Sequence, residues 1–505
     1  MESHERYTDI LSYLSMCLSM LCGGTTSLFA TYNSSFTDLL HFTQYETNLV
    51  ASLGDYAHYM SAPLFGYLTT RIGPTRVIQA AAVLMFFGYW GLSYMFEQTR
   101  GVGHQVGLMS VMFALVGVGS KAAYMATMAT AAKNFGSSRH KGVAMGVPLS
   151  LYGLSTFVFS SIKAWWFEAD ESPRRYLAFM AGVSVVAHLV AAQFVVLQDD
   201  EPAKEKKRKM SVRAAGAEPV AVAERLPGDL ADSAESVEMI EPRRRRLTLS
   251  QPQPQPQPGG PSAEPEPEPK GALPPPNSAL LLFARDPTAW ALLLGLICFS
   301  GPGLAFVNNC GTMVRAMSHT TTLTPSQLNQ YRDQIVATQS FCSFSARLAT
   351  GYLSDLWRTR LRLPRSALLI VAALLMIYAQ TMASQISQLE ELHRLAVLVG
   401  VAMGAAFTLA PTITAETWGA ERFGICWGVI TLGPAIGGHV CNLIFGTEWD
   451  RAQGGLEGEN AQCDQACFAP AFLSTARIAW VALGFFAVVM ALPFVRMRLQ
   501  RPGAA

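Results

Sequence analysis

A few ionisable side chains interrupt long apolar stretches of this chain, and they are where its chemistry has to be sought. Asp55 and His58 stand three residues apart, which puts them on one face of a helix. A carboxylate beside an imidazole exchanges a proton at moderate pH. Lys121 lies at a similar depth in another apolar stretch, where it either neutralises Asp55 as a buried ion pair or joins it in proton exchange. Arg347 is the only charge in its own stretch. Its guanidinium is planar, matches a carboxylate with two parallel N–H groups and never loses its charge. Asn308 and Asn309 follow Gly301-Pro302-Gly303, a polar segment that is either a broken gate or a simple kink. His188 and His439 each stand alone among apolar residues, where a histidine usually packs and hydrogen-bonds.

These residues acquire meaning from the elements that hold them. The chain has 505 residues, of which half are hydrophobic and 15% charged, with a mean hydropathy of +0.24. A soluble chain carries roughly a quarter charged residues. The apolar residues are not periodic. They fall into twelve blocks near the ~20 residues a membrane-crossing helix needs: 10–31, 47–70, 77–96, 106–132, 142–162, 176–197, 288–314, 335–353, 366–389, 395–415, 424–445 and 478–495. Lipid satisfies no backbone hydrogen bond, so each block is expected to be helical. The first lacks a basic leader and a cleavage site, and is read as a span rather than a signal peptide.

Other classes drop out. A net charge of +2 argues against a nucleic-acid partner. The chain has no Gly-x-Ser-x-Gly elbow, P-loop or His-Glu-x-x-His, so neither an enzyme nor a self-contained ATP-driven pump is expected. Its nine cysteines include no Cys-x-x-Cys pair, and no Cys/His cluster has zinc-finger spacing; no metal or cofactor is expected. Cys463 and Cys467, between the last two blocks, can form a disulfide in an oxidising compartment.

Lys and Arg favour the short segments on the side of the termini, which places both termini in the cytoplasm. Residues 198–285 break the pattern with Lys206-Lys207-Arg208-Lys209, Arg243-Arg244-Arg245-Arg246, a Gln-Pro repeat and a Glu-Pro repeat. Such a composition cannot bury a core. The expected organisation is a six-helix half over 1–197, a disordered cytoplasmic linker over 198–285 and a second six-helix half over 286–505. The linker is either a solvated tether or a contact for anionic lipid, with Thr248 and Ser250 as kinase targets. The halves echo each other. Gly66-Tyr67-Leu68 after the second block returns as Gly351-Tyr352-Leu353 after the eighth, and Phe135-Gly136 returns as Phe423-Gly424. Duplicated halves around a midplane site mark a transporter. The expected fold is an all-α membrane protein of twelve transmembrane helices in two pseudo-symmetric six-helix bundles.

That plan resembles the major facilitator superfamily. Gly351 and Asp355 match its loop motif in the second half. Gly66, Gly73 and Arg76 match in the first, with Thr70 where the family has an acid. Gly433-Pro434-Ala435-Ile436-Gly437-Gly438 resembles the superfamily's bending motif, placed on the eleventh span instead of the fifth. Phe42-Thr43-Gln44-Tyr45, Ala132-Lys133-Asn134-Phe135 and Trp418-Gly419-Ala420-Glu421-Arg422-Phe423-Gly424 look like the nodulin-like transporters. Within that group the chain is most similar to the fungal monocarboxylate-transporter homologues, described as probable transporters of the vacuolar membrane.

The resemblance implies a secondary active transporter of a small solute working by alternating access. Arg347 precedes Gly351 as the monocarboxylate carriers' eighth-helix arginine does, and that arginine binds the substrate carboxylate. Two departures stand beside it: Ser343 replaces an acid, and the first span carries no lysine. Arg347 therefore either holds solute or anchors its helix to Asp355 or to the eleventh span. The expected solute is a monocarboxylate or other small organic anion, contacted by Arg347, Asn308 and Asn309, with Asp55, His58 and Lys121 coupling a proton. The alternatives are a carrier of a neutral or cationic solute, and a non-transporting sensor that signals through the central loop. The resemblance favours the vacuolar membrane, with the plasma membrane as the alternative.

Overall fold

A computed structural model describes residues 2–32, 35–36, 39–98, 106–136, 138–167, 170, 172–197, 276–317, 324–454 and 465–499. The basic runs, Thr248, Ser250 and Cys463 lie outside these residues. The first half runs α1 (Glu2–Gly23), a 3-10 turn (Gly24–Thr31), α2 (Gln44–Met60), α3 (Ala62–Ile72), α4 (Pro74–Gln98), α5 (Val106–Asn134), α6 (Lys141–Trp166) and α7 (Arg174–Phe194). The second runs α8 (Pro276–Arg285), α9 (Pro287–Ala316), α10 (Pro325–Arg360), α11 (Ser366–Ala383), α12 (Glu391–Ile430), α13 (Leu432–Gly454) and α14 (Gln465–Leu499). No strand occurs among the described residues.

Nine helical stretches among these residues are long and apolar enough to cross a membrane. The longest, Glu391–Ala452, holds two crossings, because Gly419 turns the chain with a positive φ of 76°. The remaining crossings are the second block, split into the short α2 and α3, and the eighth, α10, which is too polar to register by composition. These two related blocks carry Asp55, His58, Arg347 and Asp355. Their polarity makes them functional candidates. Large apolar side chains such as Phe87, Trp90, Tyr352 and Trp480 lie exposed on the outside, as lipid contact requires.

Local sequence explains the irregularities. Gly24 lies so close to α6 that a Cβ would meet Ser155 Cβ at 2.9 Å, and the first crossing ends in a 3-10 turn instead of continuing as α-helix. Ser61 and Thr431 interrupt their helices ahead of Pro63 and Pro434. Pro148 inside α6 cannot donate to the Ala144 carbonyl, and the Tyr13 hydroxyl donates to it instead at 3.3 Å. The last ten residues of the segment expected as linker form α8, a difference from the sequence expectation. Their apolar run supplies the reason: Phe283 is buried and meets the Trp418 ring at 6.0 Å between centroids. Asp286 then caps α9 through Thr288 N at 2.8 Å.

The halves meet along two helix pairs, α3 against α12 and α6 against α10. Glycines allow the approach. A Cβ on Gly66 would lie 2.6 Å from the Gly424 carbonyl carbon, and one on Gly351 would lie 2.7 Å from the Gly142 oxygen. Gly142-x-x-x-Gly146 on α6 and Gly424-x-x-x-Gly428 on α12 play corresponding parts, with Gly146 against Arg347 and Gly351, and Gly428 against Ala62 and Pro63. Both halves belong to one compact unit.

Candidate functional site

Arg347 lies at the α6–α10 seam. Its Nη1 donates to the Leu149 carbonyl at 2.7 Å, and the guanidinium stands 5.9 Å from the Phe407 ring centroid. Gly153 leaves the room for it, since a Cβ there would lie 3.3 Å from Cζ. The Nε is buried without a hydrogen-bond partner, and no carboxylate pairs with the side chain among the described residues. Of the two anchoring roles open from sequence, neither is realised: Asp355 is taken by another arginine, and the carbonyl that Arg347 holds belongs to α6. Gly153 follows Tyr152, whose ring meets that of Tyr124 at 5.2 Å between centroids, so the guanidinium stands beside two tyrosines of the first half.

His58 and Asp55 are not joined by a hydrogen bond or ion pair, and neither are Asp55 and Lys121. His58 is buried against α5, where its Nδ1 faces the Gly117 carbonyl at 3.2 Å. A carbonyl only accepts, so Nδ1 carries the proton, and in a neutral ring Nε2 accepts from the Tyr152 hydroxyl at 3.5 Å. Tyr152 also meets Ser120 Oγ at 3.2 Å. Asp55 is exposed instead, one turn before Tyr59 on α2. Lys121 is buried on α5 with its ammonium 5.1 Å from the Tyr59 centroid and 4.7 Å from that of Tyr124. The expected Asp55–Lys121 pair is thus replaced by contact with aromatic faces. Spacing put the three residues at one depth but could not give the rotation of α5 against α2.

The remaining candidates scatter. Asn309 donates to the Ala305 carbonyl at 2.8 Å and to Asn442 Oδ1 at 2.9 Å, tying α9 to α13, while Asn308 is exposed. His188 is buried and bonds back to the Ser184 carbonyl of its own helix at 2.7 Å, a packing role. His439 does more than pack: its Nδ1 meets the Tyr56 hydroxyl at 2.7 Å, a contact between the halves. Gly433, Gly437 and Gly438 turn toward Ile297 and Leu304 of α9, with a Gly437 Cβ 3.2 Å from Gly301 N, so this run with Pro434 packs α13 closely on α9. Cys467 is disulfide-bonded.

Asp355 anchors a latch at the end of the molecule where Tyr13 meets α6. It is buried, with Oδ1 accepting from Gly142 N at 2.9 Å and Oδ2 from Val143 N at 3.0 Å. α6 begins at Lys141, so these N–H groups have no acceptor within their helix, and the helix N-terminus favours the negative charge. Arg365 Nη2 reaches the same carboxylate at 2.7 Å, its Nη1 reaches Ser354 at 2.5 Å, and its Nε reaches Glu416 at 2.9 Å. Arg358 adds a second bond to Glu416 at 3.0 Å. Among the described residues the first half has no such latch. Thr70 bonds back to the Gly66 carbonyl at 3.1 Å, Gly73 closes α3 with a φ of 87°, and Arg76 is exposed.

Sequence reasoning missed the tyrosines around Arg347 and Lys121, the Leu149 carbonyl, Glu416 and the Tyr56–His439 contact. A tyrosine in an apolar helix is ordinary, and Glu416 carries no spacing signal toward Arg358 and Arg365. Only the fold brings them together.

The chain is similar to known transporters throughout. The major facilitator superfamily profile matches residues 14–440. A probable transporter mch1 of Neurospora crassa is 28% identical, covering 94% of this chain and 87% of its own. The protein of that name in Emericella nidulans is also 28% identical, over 92% and 83%, and the Candida albicans one is 26% identical, over 87% and 85%. Among solved structures, the proton:xylose symporter XylE bound to 6-bromo-6-deoxy-D-glucose aligns with a TM-score of 0.60 at 11% identity, covering 95% of each chain. The transporter FucP in its outward conformation aligns at 0.53 and 12%, covering 94% and 99%. At such identities the structural likeness speaks for the fold alone. Twelve crossings in two related halves and a profile match over most of the sequence lead to one conclusion: the chain belongs to the major facilitator superfamily, whose members carry solutes and are not enzymes.

Proposed function

We propose that this protein carries a small organic anion, a monocarboxylate or a close relative, by alternating access of its two halves, with Arg347 holding the anionic group. One observation carries the reading: a permanently charged guanidinium sits at the seam between the halves with Nε unpaired and no carboxylate on it among the described residues. A charge in such a place is costly, and a solute carboxylate offers the bidentate partner it lacks. Asp55, exposed and one turn before Tyr59 on α2, is the proposed proton carrier. The Ser120–Tyr152–His58 chain supports the tyrosine wall, and Asn308 lines the path. Both termini and the Asp355 latch then face the cytoplasm, and the vacuolar membrane is the favoured location. The segment 198–275 is the proposed contact for anionic lipid or a kinase.

The bond from Arg347 to the Leu149 carbonyl favours a second reading, in which the arginine only staples α10 to α6. Affinity and melting temperature, measured together on purified Arg347→Ala with a panel of carboxylates, distinguish the two. Lost anion binding in a protein that still inserts supports the anion reading. Unchanged affinity with a lowered melting temperature removes Arg347 from the site, and most of the case for an organic anion with it.

A further inference from the structure

Lys121 is only 3% exposed, yet it makes no hydrogen bond or ion pair with any described residue. Its ammonium rests between the faces of Tyr59 and Tyr124. A cation–π contact offsets only part of the cost of taking an ammonium out of water. The Tyr124 ring meets that of Tyr152 edge-on at 5.2 Å between centroids, and Arg347 of the other half lies beside them, its Cζ 3.3 Å from where a Cβ on Gly153, next to Tyr152, would stand. The site therefore holds two cations, one from each half, around shared aromatic walls. Asp55, one turn before Tyr59 on α2, pairs with neither. A monocarboxylate would answer one cation and leave the other as it is. Building on the anion reading above, we infer that Lys121 and Arg347 are the two ends of a single binding site, and that its solute carries two anionic groups: a compact dicarboxylate rather than a monocarboxylate. Such a solute bridges α5 of the first half and α10 of the second. Occupancy is then coupled directly to how closely the halves approach.

The test is a titration of the purified full-length protein, followed by thermal stabilisation, with pairs of acids of equal length: propionate and malonate, butyrate and succinate, valerate and glutarate. At neutral pH and constant ionic strength, at least one dicarboxylate should bind about tenfold or more tightly than its monocarboxylate partner, the smallest effect expected of one added charge-assisted hydrogen bond. Lys121→Met should bring the dicarboxylate down to the affinity of its partner, while Lys121→Arg, which keeps the charge, should retain the advantage. A dicarboxylate advantage that survives Lys121→Met overturns the proposal and leaves the lysine as a cation held by tyrosines. Monocarboxylates that bind as well as or better than dicarboxylates overturn it too, while the anion site at Arg347 stands. Stabilisation by neutral solutes but by no anion sinks both readings. The melting temperature without ligand tells a lost fold from a lost site, and if Lys121→Met cannot be purified, the wild-type series decides.

Discussion

The buried charges of this protein are settled by neighbours that hydropathy cannot show. Arg347 looks from sequence like a lone cation in lipid. In the structure one of its N–H groups is satisfied by Leu149, a gap at Gly153 seats it, and Nε is left over. Asp55 and His58, three residues apart, point to different surroundings: the imidazole is consumed by Gly117 and Tyr152, and the carboxylate stays exposed. A proton carrier must present its acid to both sides in turn, and Asp55 meets that requirement better than His58. Asp55→Asn should abolish accumulation driven by a proton gradient while exchange of solute at equal concentrations persists. Both rates are read in the same proteoliposomes. Loss of exchange as well would place Asp55 in solute binding instead of coupling.

At the scale of elements, repeated helices have diverged in what they hold. α6 starts at Lys141, so Gly142 and Val143 offer free N–H groups and Asp355 accepts both. On α12 the chain turns at Gly419, five residues before Gly424, and the N–H groups facing Thr70 are already spent inside the helix. Thr70→Asp should therefore build no second latch. It should lower the melting temperature, because its carboxylate finds no free donor. Asp355→Asn should weaken the closed end by about 3–5 kcal/mol, the usual cost of breaking a buried ion pair. Transport should slow while solute affinity stays nearly constant. A faster or more stable Thr70→Asp protein would contradict this account of where α12 begins. The twelve crossings and the repeat were legible because lipid imposes long apolar blocks and the glycine triplets survive in both halves. The latch was half legible: Gly351 and Asp355 stand out as a motif, but Arg365 and Glu416 meet them only through the path of the chain around α11 and α12. The helical character of 276–285 was hidden by the proline-rich residues before it.

At the scale of the whole molecule, the halves are pressed together at the Asp355 end by bare glycine contacts and by the carboxylate on the α6 N-terminus, with Tyr56–His439 a further link between them. Lys121 of the first half rests against Tyr59 and Tyr124, and Arg347 of the second lies beside Gly153 and Tyr152, whose ring meets that of Tyr124 at 5.2 Å. In the proposed mechanism the anion binds where the halves meet, and access is exchanged by releasing one end at a time. Counterflow tests that claim most directly. Proteoliposomes preloaded with unlabelled lactate and succinate are diluted into the same acids carrying label. At least one label should accumulate transiently in vesicles with the wild-type protein and fail to do so with Arg347→Ala of equal insertion. No accumulation of either label by well-inserted wild-type protein, or accumulation undiminished by Arg347→Ala, would contradict the account.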